Sequence, residues 1–404
     1  MKAIGAVDFV KQKLNELELH INKEKTGVYK AISRKILGFE FYRQSKNSEV
    51  LIKRCETERN DYFRNWHGSV IQRIDKNYHI VNNGILTRKD YTVLFENEEK
   101  KCYLPVETCG MLNVYSNVSF SSGFFEFAKQ KGLKVSLYDK FGTYVGSFVS
   151  VNHFLSTKTL LKQVMIYNDK EKRLAIAKKI ELASLHNQRE NLRYTQKHRP
   201  SNELEDIIGF MSNIMSQMKV SKTIEELMLL EARAKQKYLH AFDLMIINNE
   251  FRFVQRTKRP PKNEVNAMIS FGNVFLYRRI ACEIYKSSLD IRIGFVHAAN
   301  NRSESLNLDL AEIFKPIIVD KVIFSVINKG QILKEQHFEK TEEGGVWLNK
   351  EGKRIFIHEL EDKLYQKITI DGKKMTYDAL IRNEVYKIYH TVAEEVKYKA
   401  YKYT

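Results

Sequence analysis

The chain has 404 residues, 43% hydrophobic and 29% charged, so it is globular and long enough for two or three domains. Its 67 Lys and Arg against 49 Asp and Glu give a formal charge of +18 and a pI near 9.4, which points to a polyanionic partner, nucleic acid first and a membrane surface second. No run reaches the roughly 18 apolar residues of a membrane span, the N-terminus lacks a signal-peptide core, and Cys55, Cys102, Cys109 and Cys282 form no C-x-x-C pair, so a cytoplasmic protein with reduced cysteines is expected.

Residues 1–65 read as helical and then basic, with no complete core. From about 70 to 152 the pattern is that of strands. Tyr91, Val93 and Phe95 alternate with Thr92, Leu94 and Glu96, and Asn82-Asn83-Gly84 reads as a hairpin turn between apolar runs. Short strands follow at YLPVE, LNVYSNVSF and LKVSLYD, with one helix expected over Ser122 to Lys131. Beyond residue 157 the period becomes 3.6 and stays so to residue 404. The expected fold is therefore α+β: a helical and basic leader, a small β-rich, sandwich-like domain, and a large all-α domain. The polar, basic stretch from Asn187 to Asn202 reads as an exposed connection.

Within the helical part, Thr223 and Glu226 form a capping box, and Leu227, Leu230, Ala234, Tyr238, Ala241 and Phe242 then define one apolar stripe. Glu231 falls in the middle of that stripe. A carboxylate there costs several kcal/mol unless a metal, a cation or a raised pKa answers for it. An ion pair with Lys235, one turn on, is the structural alternative. His297 follows the apolar run Ile291, Ile293, Phe295, Val296 and precedes the polar Asn300-Asn301-Arg302, a place for a site residue or for a structural histidine. Asp309 and Glu312, three apart, share a helix face and repel unless a cation or Lys315 relieves them.

These segments recur in order. Glu231 lies in LLEARAKQKYLHAF. Arg256 is followed by Pro260-Pro261, Asn266 and Ser270-Phe271-Gly272. Gly294-Phe295-Val296-His297 comes next, and LNLDLAEIFKP with a following Val319-Asp320 closes the series. In this the chain resembles the CRISPR-associated spacer integrases, the universal adaptation nuclease family ("Cas one"). The β-rich segment is similar to that family's N-terminal dimerisation domain, so the resemblance covers roughly residues 72–400. Two departures are Ala298-Ala299, where an acidic residue is common after the histidine, and Lys315, where Arg is usual. In the leader, HINKEKT (His20 to Thr26) and ISRKILGFEFYR (Ile32 to Arg43) look like the last part of a group II intron-type reverse transcriptase. No Y-x-D-D pair occurs in the chain, so no polymerase activity is expected.

The resemblance implies a metal-dependent DNA endonuclease and integrase that joins prespacer 3′-hydroxyl ends to a repeat array by transesterification. Glu231, His297 and Glu312 would hold Mg²⁺ or Mn²⁺, with Asp309 and Asn266 supporting them. It implies work as a homodimer with the small "Cas two" partner on DNA. RNA enters only through the missing polymerase portion. The residues themselves offer Arg189, Arg193, Lys197, Arg199, Lys258, Arg259 and Lys262 as phosphate contacts, or as a solvated basic face. The competing readings are a structure-specific repair nuclease with the same metal site, and a non-catalytic nucleic-acid-binding protein whose acidic residues are buried ion pairs.

Overall fold

The structure, a computed structural model, describes residues 76–106, 109–150, 156–297, 304–370 and 372–403, together with the backbone of three short strands nearer the N-terminus. Met1–Arg73 and Ile74–Thr404 are two separate compact units. In the first, β1 (Lys35–Ile36), β2 (Phe39–Tyr42) and β3 (Leu51–Arg54) form an antiparallel sheet in the order 1-2-3, where the sequence suggested a helical and basic leader. The HINKEKT motif lies outside the described residues.

The second unit begins with two four-stranded sheets. One has the order β11-β10-β8-β4: β4 (Lys76–Ile80), β8 (Cys109–Val114) and β10 (Lys134–Tyr138) run parallel, and β11 (Tyr144–Phe148) is antiparallel at the edge. The other has the order β7-β6-β5-β9, from β5 (Gly84–Lys89), β6 (Thr92–Glu96), β7 (Lys101–Leu104) and β9 (Val118–Phe120). The helix α1 (Ser122–Lys131) lies where the sequence put it, capped by the Ser121 side chain and stopped by Gly132 at φ 66°. Leu86, Phe95, Leu112, Phe124 and Phe127 close one apolar core among these elements.

The expected hairpin at Asn82-Asn83-Gly84 is not formed. β4 and β5 belong to different sheets, and the triplet carries the chain between them. Turn residues permit a reversal, but longer-range pairing chooses the partner strand. Gly84 is required there because a Cβ would stand 2.6 Å from the Glu96 carbonyl oxygen.

The rest is helical: α2 (Thr157–Asn168), α3 (Lys170–His198), α4 (Asn202–Val220), α5 (Ile224–His240), α6 (Phe242–Met245), α7 (Glu264–Ile284), α8 (Leu306–Phe314), a π-helical turn (Pro316–Asp320), α9 (Lys321–Asn328), α10 (Lys334–His337), α11 (Lys350–Tyr365) and α12 (Tyr377–Glu394). It is not all-α, since two hairpins interrupt it: β12 (Phe338–Lys340) with β13 (Val346–Leu348), and β14 (Lys367–Ile370) with β15 (Lys373–Thr376). The fold is thus mixed α+β, with an N-terminal β-rich region and a helical C-terminal part.

A second correction concerns Asn187 to Asn202. This stretch is no exposed connection: through His198 it is the back half of the 29-residue helix α3. Glu181, Ser184, Gln188, Asn191 and Thr195 recur at spacings of three and four and are all buried. Part of this seam meets polar groups of other elements: Asn191 Nδ2 donates to the Pro316 carbonyl at 2.8 Å and to the Tyr238 hydroxyl at 2.9 Å, and the neighbouring Asn187 Nδ2 donates to the Ile313 carbonyl at 2.8 Å.

Candidate functional site

Three elements bring the acidic residues together. In α5 the Thr223 hydroxyl accepts from the Glu226 N–H at 3.1 Å, and the Glu226 carboxylate accepts from the Lys222 N–H at 2.8 Å, so the start of the helix is fixed on both sides of the cap. Leu227, Leu230, Ala234 and Tyr238 are buried, and Glu231 lies beside them with 18% of its side chain exposed. Helix α8 supplies Asp309, fully buried, and Glu312, with 7% of its side chain exposed. The loop between α7 and α8 supplies His297.

Asp309 organises that loop. One of its oxygens accepts the N–H groups of Phe295 (2.5 Å) and Val296 (2.9 Å), and the other accepts the His297 N–H (3.1 Å) and faces the ring Nδ1 of His297 at 2.7 Å. With Nδ1 committed, Nε2 is the ring atom left for a ligand. The spacing of the Gly-Phe-Val-His motif follows from the same contact. A Cβ on residue 294 would lie 2.6 Å from the Asp309 carboxylate, so only glycine lets the loop close over it.

Glu231 and Glu312 converge on one cationic centre. Lys235 Nζ lies 3.1 Å from Glu231 Oε1 and 3.1 Å from Glu312 Oε2, while Lys315 Nζ lies 2.5 Å from the other Glu312 oxygen. Burial pushes the Glu312 carboxyl up, but the two ammonium groups reverse this and hold it well below the usual range. Among the described residues, no three His, Cys, Asp or Glu side chains are gathered tightly enough to hold a metal ion. The donor set nonetheless suits a hard divalent cation: two carboxylates from different helices already embrace one positive charge, and Asp309, one turn before Glu312 on α8, orients an imidazole on the neighbouring loop.

Lys258 also faces this centre. Burial lowers its pKa, as do the charges of Arg256, Lys235 and Lys315. Asn266 does not reach the acidic residues. It is fully buried and braces the loop before α7: its carbonyl oxygen accepts from Arg256 Nη1 (2.8 Å) and the Thr257 N–H (3.1 Å), and its amide donates to the Gln255 carbonyl (2.7 Å). Arg256 also reaches Ser270 at 3.0 Å, so the Arg, Asn and Ser of that motif form one bracket under Lys258.

The other basic candidates scatter. Lys197 and Arg259 are exposed. Arg193 pairs with Glu190 at 2.9 Å. Arg189 is half-buried against Ser212, Arg199 donates to the Met245 carbonyl, and Lys262 donates to the Glu343 carbonyl.

Sequence reasoning missed Glu181. It is 1% exposed, one of its oxygens has no hydrogen-bond partner, and burial together with the charges of Glu231 and Glu312 pushes its pKa far up. Its only sequence signal was its place in the polar seam of α3. Asp320, at the end of the π-helical turn, is pushed up to about 7 by burial, although the Tyr238 hydroxyl donates to it at 2.9 Å.

A family profile described as "CRISPR associated protein Cas1" matches residues 78–362. The chain is 40% identical over 330 residues to the CRISPR-associated endonuclease Cas1 2 of Thermodesulfovibrio yellowstonii, covering 81% of this chain and 98% of that protein. It is similar to the solved structure of a Cas1 protein from Thermotoga maritima, with a TM-score of 0.71 at 32% identity over 81% of this chain and all of the other. Two more distant structures share the fold. A casposase bound to integration product has a TM-score of 0.72 at 20% identity, over 81% and 94% of the two chains. A chain of a Cas6-RT-Cas1–Cas2 complex has a TM-score of 0.73 at 18% identity, over 83% of this chain and 37% of that one.

Proposed function

The chain belongs to the Cas1 family of CRISPR-associated proteins, and from that premise we propose that it is a metal-dependent DNA endonuclease and integrase of CRISPR adaptation. The observation that carries this reading is the convergence of Glu231 and Glu312 on one cation, with Asp309 on the helix of Glu312 orienting His297. Glu231, His297 and Glu312 are the proposed holders of Mg²⁺ or Mn²⁺. Such an ion would make a 3′-hydroxyl easier to deprotonate and would offset charge on the phosphate.

The chain's own groups do the rest. Asp309 keeps His297 in one tautomer and orientation. Lys258 and Lys315 add positive charge where the scissile phosphate would lie, and the bracket of Arg256, Asn266 and Ser270 fixes the loop that carries Lys258. In the proposed reaction the 3′-hydroxyl oxygen bonds to the phosphorus of a repeat-end phosphodiester. The bond to the neighbouring 3′ oxygen breaks, and that oxygen leaves as a hydroxyl. Water as the nucleophile gives nuclease activity instead.

The proposed setting is a homodimer that works with a Cas2 partner on prespacer and repeat DNA. A natural link to a reverse transcriptase, and through it to RNA, belongs to the same proposal. The test is Mn²⁺-dependent joining of a labelled oligonucleotide to a repeat-bearing plasmid, with and without Cas2. Glu231→Ala, His297→Ala and Glu312→Ala are expected to stay folded, bind DNA and lose joining by at least about 100-fold, the scale of removing a transition-state contact. Variants that lose folding or binding but leave residual chemistry intact would favour the non-catalytic reading. Cleavage without joining would favour a repair nuclease.

A further inference from the structure

We propose, on the reading of DNA as the partner but independently of the metal chemistry, that the C-terminal tail laid along α3 forms a second phosphate-binding surface, in which Lys179, Lys219 and Lys402, with Arg189 beside them, grip the backbone of bound DNA.

The tail reads Lys397-Tyr398-Lys399-Ala400-Tyr401-Lys402-Tyr403, and its tyrosines anchor it. Tyr398 is 5% exposed, and its hydroxyl donates to Glu384 at 2.6 Å. The Tyr401 ring lies parallel to that of Phe314 at the end of α8, 6.5 Å between centroids, and its N–H donates to Glu384 at 3.2 Å. The Tyr403 N–H donates to Asn187 Oδ1 at 2.7 Å, its carbonyl accepts from His186 Nε2 at 2.8 Å, and its ring lies under the Lys321 ammonium. Anchored this way, the tail exposes Lys397, Lys399 and Lys402.

Lys402 therefore stands among cations from two helices. Burial and the charges of Lys179, Lys219 and Arg189 all lower its pKa, and no carboxylate appears among these strongest influences. Lys178 Nζ donates to the Lys219 carbonyl at 3.1 Å, which ties the end of α4 to α3 at this place. Like charges crowded on a surface oppose folding unless a polyanion compensates them. Next to the cluster, sharing Lys179 with it, a groove of about 500 Å³ is lined by Lys162, Lys172 and Lys397 together with the buried Ile176 and Val392; Asp169 and Glu395 leave it net basic. Lysines on an extended rail match backbone phosphates, which need charge and not base-edge geometry. The rail also runs over α8, the helix that carries Glu312, so a strand held here is tied to the same element as the proposed reaction centre.

The experiment is fluorescence anisotropy of a labelled duplex with single-stranded 3′ extensions, titrated with the full chain at several salt concentrations. The triple variant Lys179→Gln, Lys219→Gln, Lys402→Gln is expected to bind about tenfold more weakly at moderate salt, with the slope of log K against log salt reduced by about 2 to 3. Lys402→Glu alone, on the exposed tail, should shift binding in the same direction by less. Tyr91→Ser, exposed in the turn between β5 and β6 and outside this surface, should bind as wild type does. An unchanged affinity and slope in the triple variant overturns the surface while leaving the proposed activity standing. A wild-type chain that binds no DNA overturns both.

Discussion

Asp309 accepts three backbone N–H groups and sits against a ring nitrogen with no solvent to share the work. Asp309→Asn would put an amide N–H against one of those donors, at an expected cost of about 2 to 4 kcal/mol. By freeing the His297 ring it should also weaken divalent-ion binding about 10- to 100-fold. Urea melts and a Mn²⁺ titration measure the two effects, and undiminished ion affinity would show that Asp309 only holds the loop. Lys235 presents the opposite case. It occupies the place between Glu231 and Glu312 that the proposed divalent ion would take, so Lys235→Met should tighten Mn²⁺ binding while lowering stability without the ion. The pH sign follows from Glu312, whose carboxyl is held below its unfolded value. Its contribution is present above about pH 4 and is lost as pH falls further. Lys235→Met should shrink that acid-side loss in melts run from pH 7 downward, and an unchanged profile would mean that Lys315 alone holds the carboxylate. The Glu231–Lys235 pair was visible in the sequence as an i, i+4 spacing. The share taken by Glu312 was not, because 77 residues separate it from Lys235.

Helix α5 was readable because its cap residues and apolar stripe agree with what packing demands of it. The back part of helix α3, from Asn187, was not. Gln188, Asn191 and Thr195 have the composition of a solvated linker, and distant partners such as the Pro316 carbonyl and the Tyr238 hydroxyl, both accepting from Asn191, are invisible in that composition. Glu181 lies ahead of that stretch, and its burial is set by packing that local spacing does not show. The π-helical turn Pro316–Asp320 hid a second charged group in the same way, since an apolar run ending in aspartate shows nothing of its burial. Asp320 is pushed up to about 7, above its unfolded value, so the folded chain holds the extra proton. Stability from this group is therefore full below about pH 4 and falls as pH rises toward 7. Asp320→Asn should remove that slope, so that urea midpoints at pH 5 and pH 8 differ less than in wild type. Midpoints that differ as much as before would assign the slope to another group.

The order of motifs along the chain and the change of period near residue 157 were legible because they are one-dimensional. How the β-rich region meets the helices was not, because that contact joins residues some 280 positions apart. Asn77 Nδ2 donates to both oxygens of Glu361, at 3.1 and 3.3 Å, and His79 Nε2 lies 2.9 Å from one of them. The His79 ring stacks between Tyr115 and Phe275, and Tyr115 stacks in turn on Tyr138 at 4.2 Å. One carboxylate on α11 therefore satisfies two donors on β4, in a contact that is otherwise aromatic. Glu361→Ala would strand both donors in a partly buried seam, at an expected cost of about 1 to 3 kcal/mol. His79→Phe keeps the stack and removes the histidine donor. If the carboxylate is the fastener, the double variant will be less destabilised than the sum of the two single changes by about 0.5 kcal/mol or more. Urea denaturation of the four chains completes the cycle, and strict additivity would mean that Glu361 and His79 act independently in holding the β-rich region to the helices that carry the proposed site.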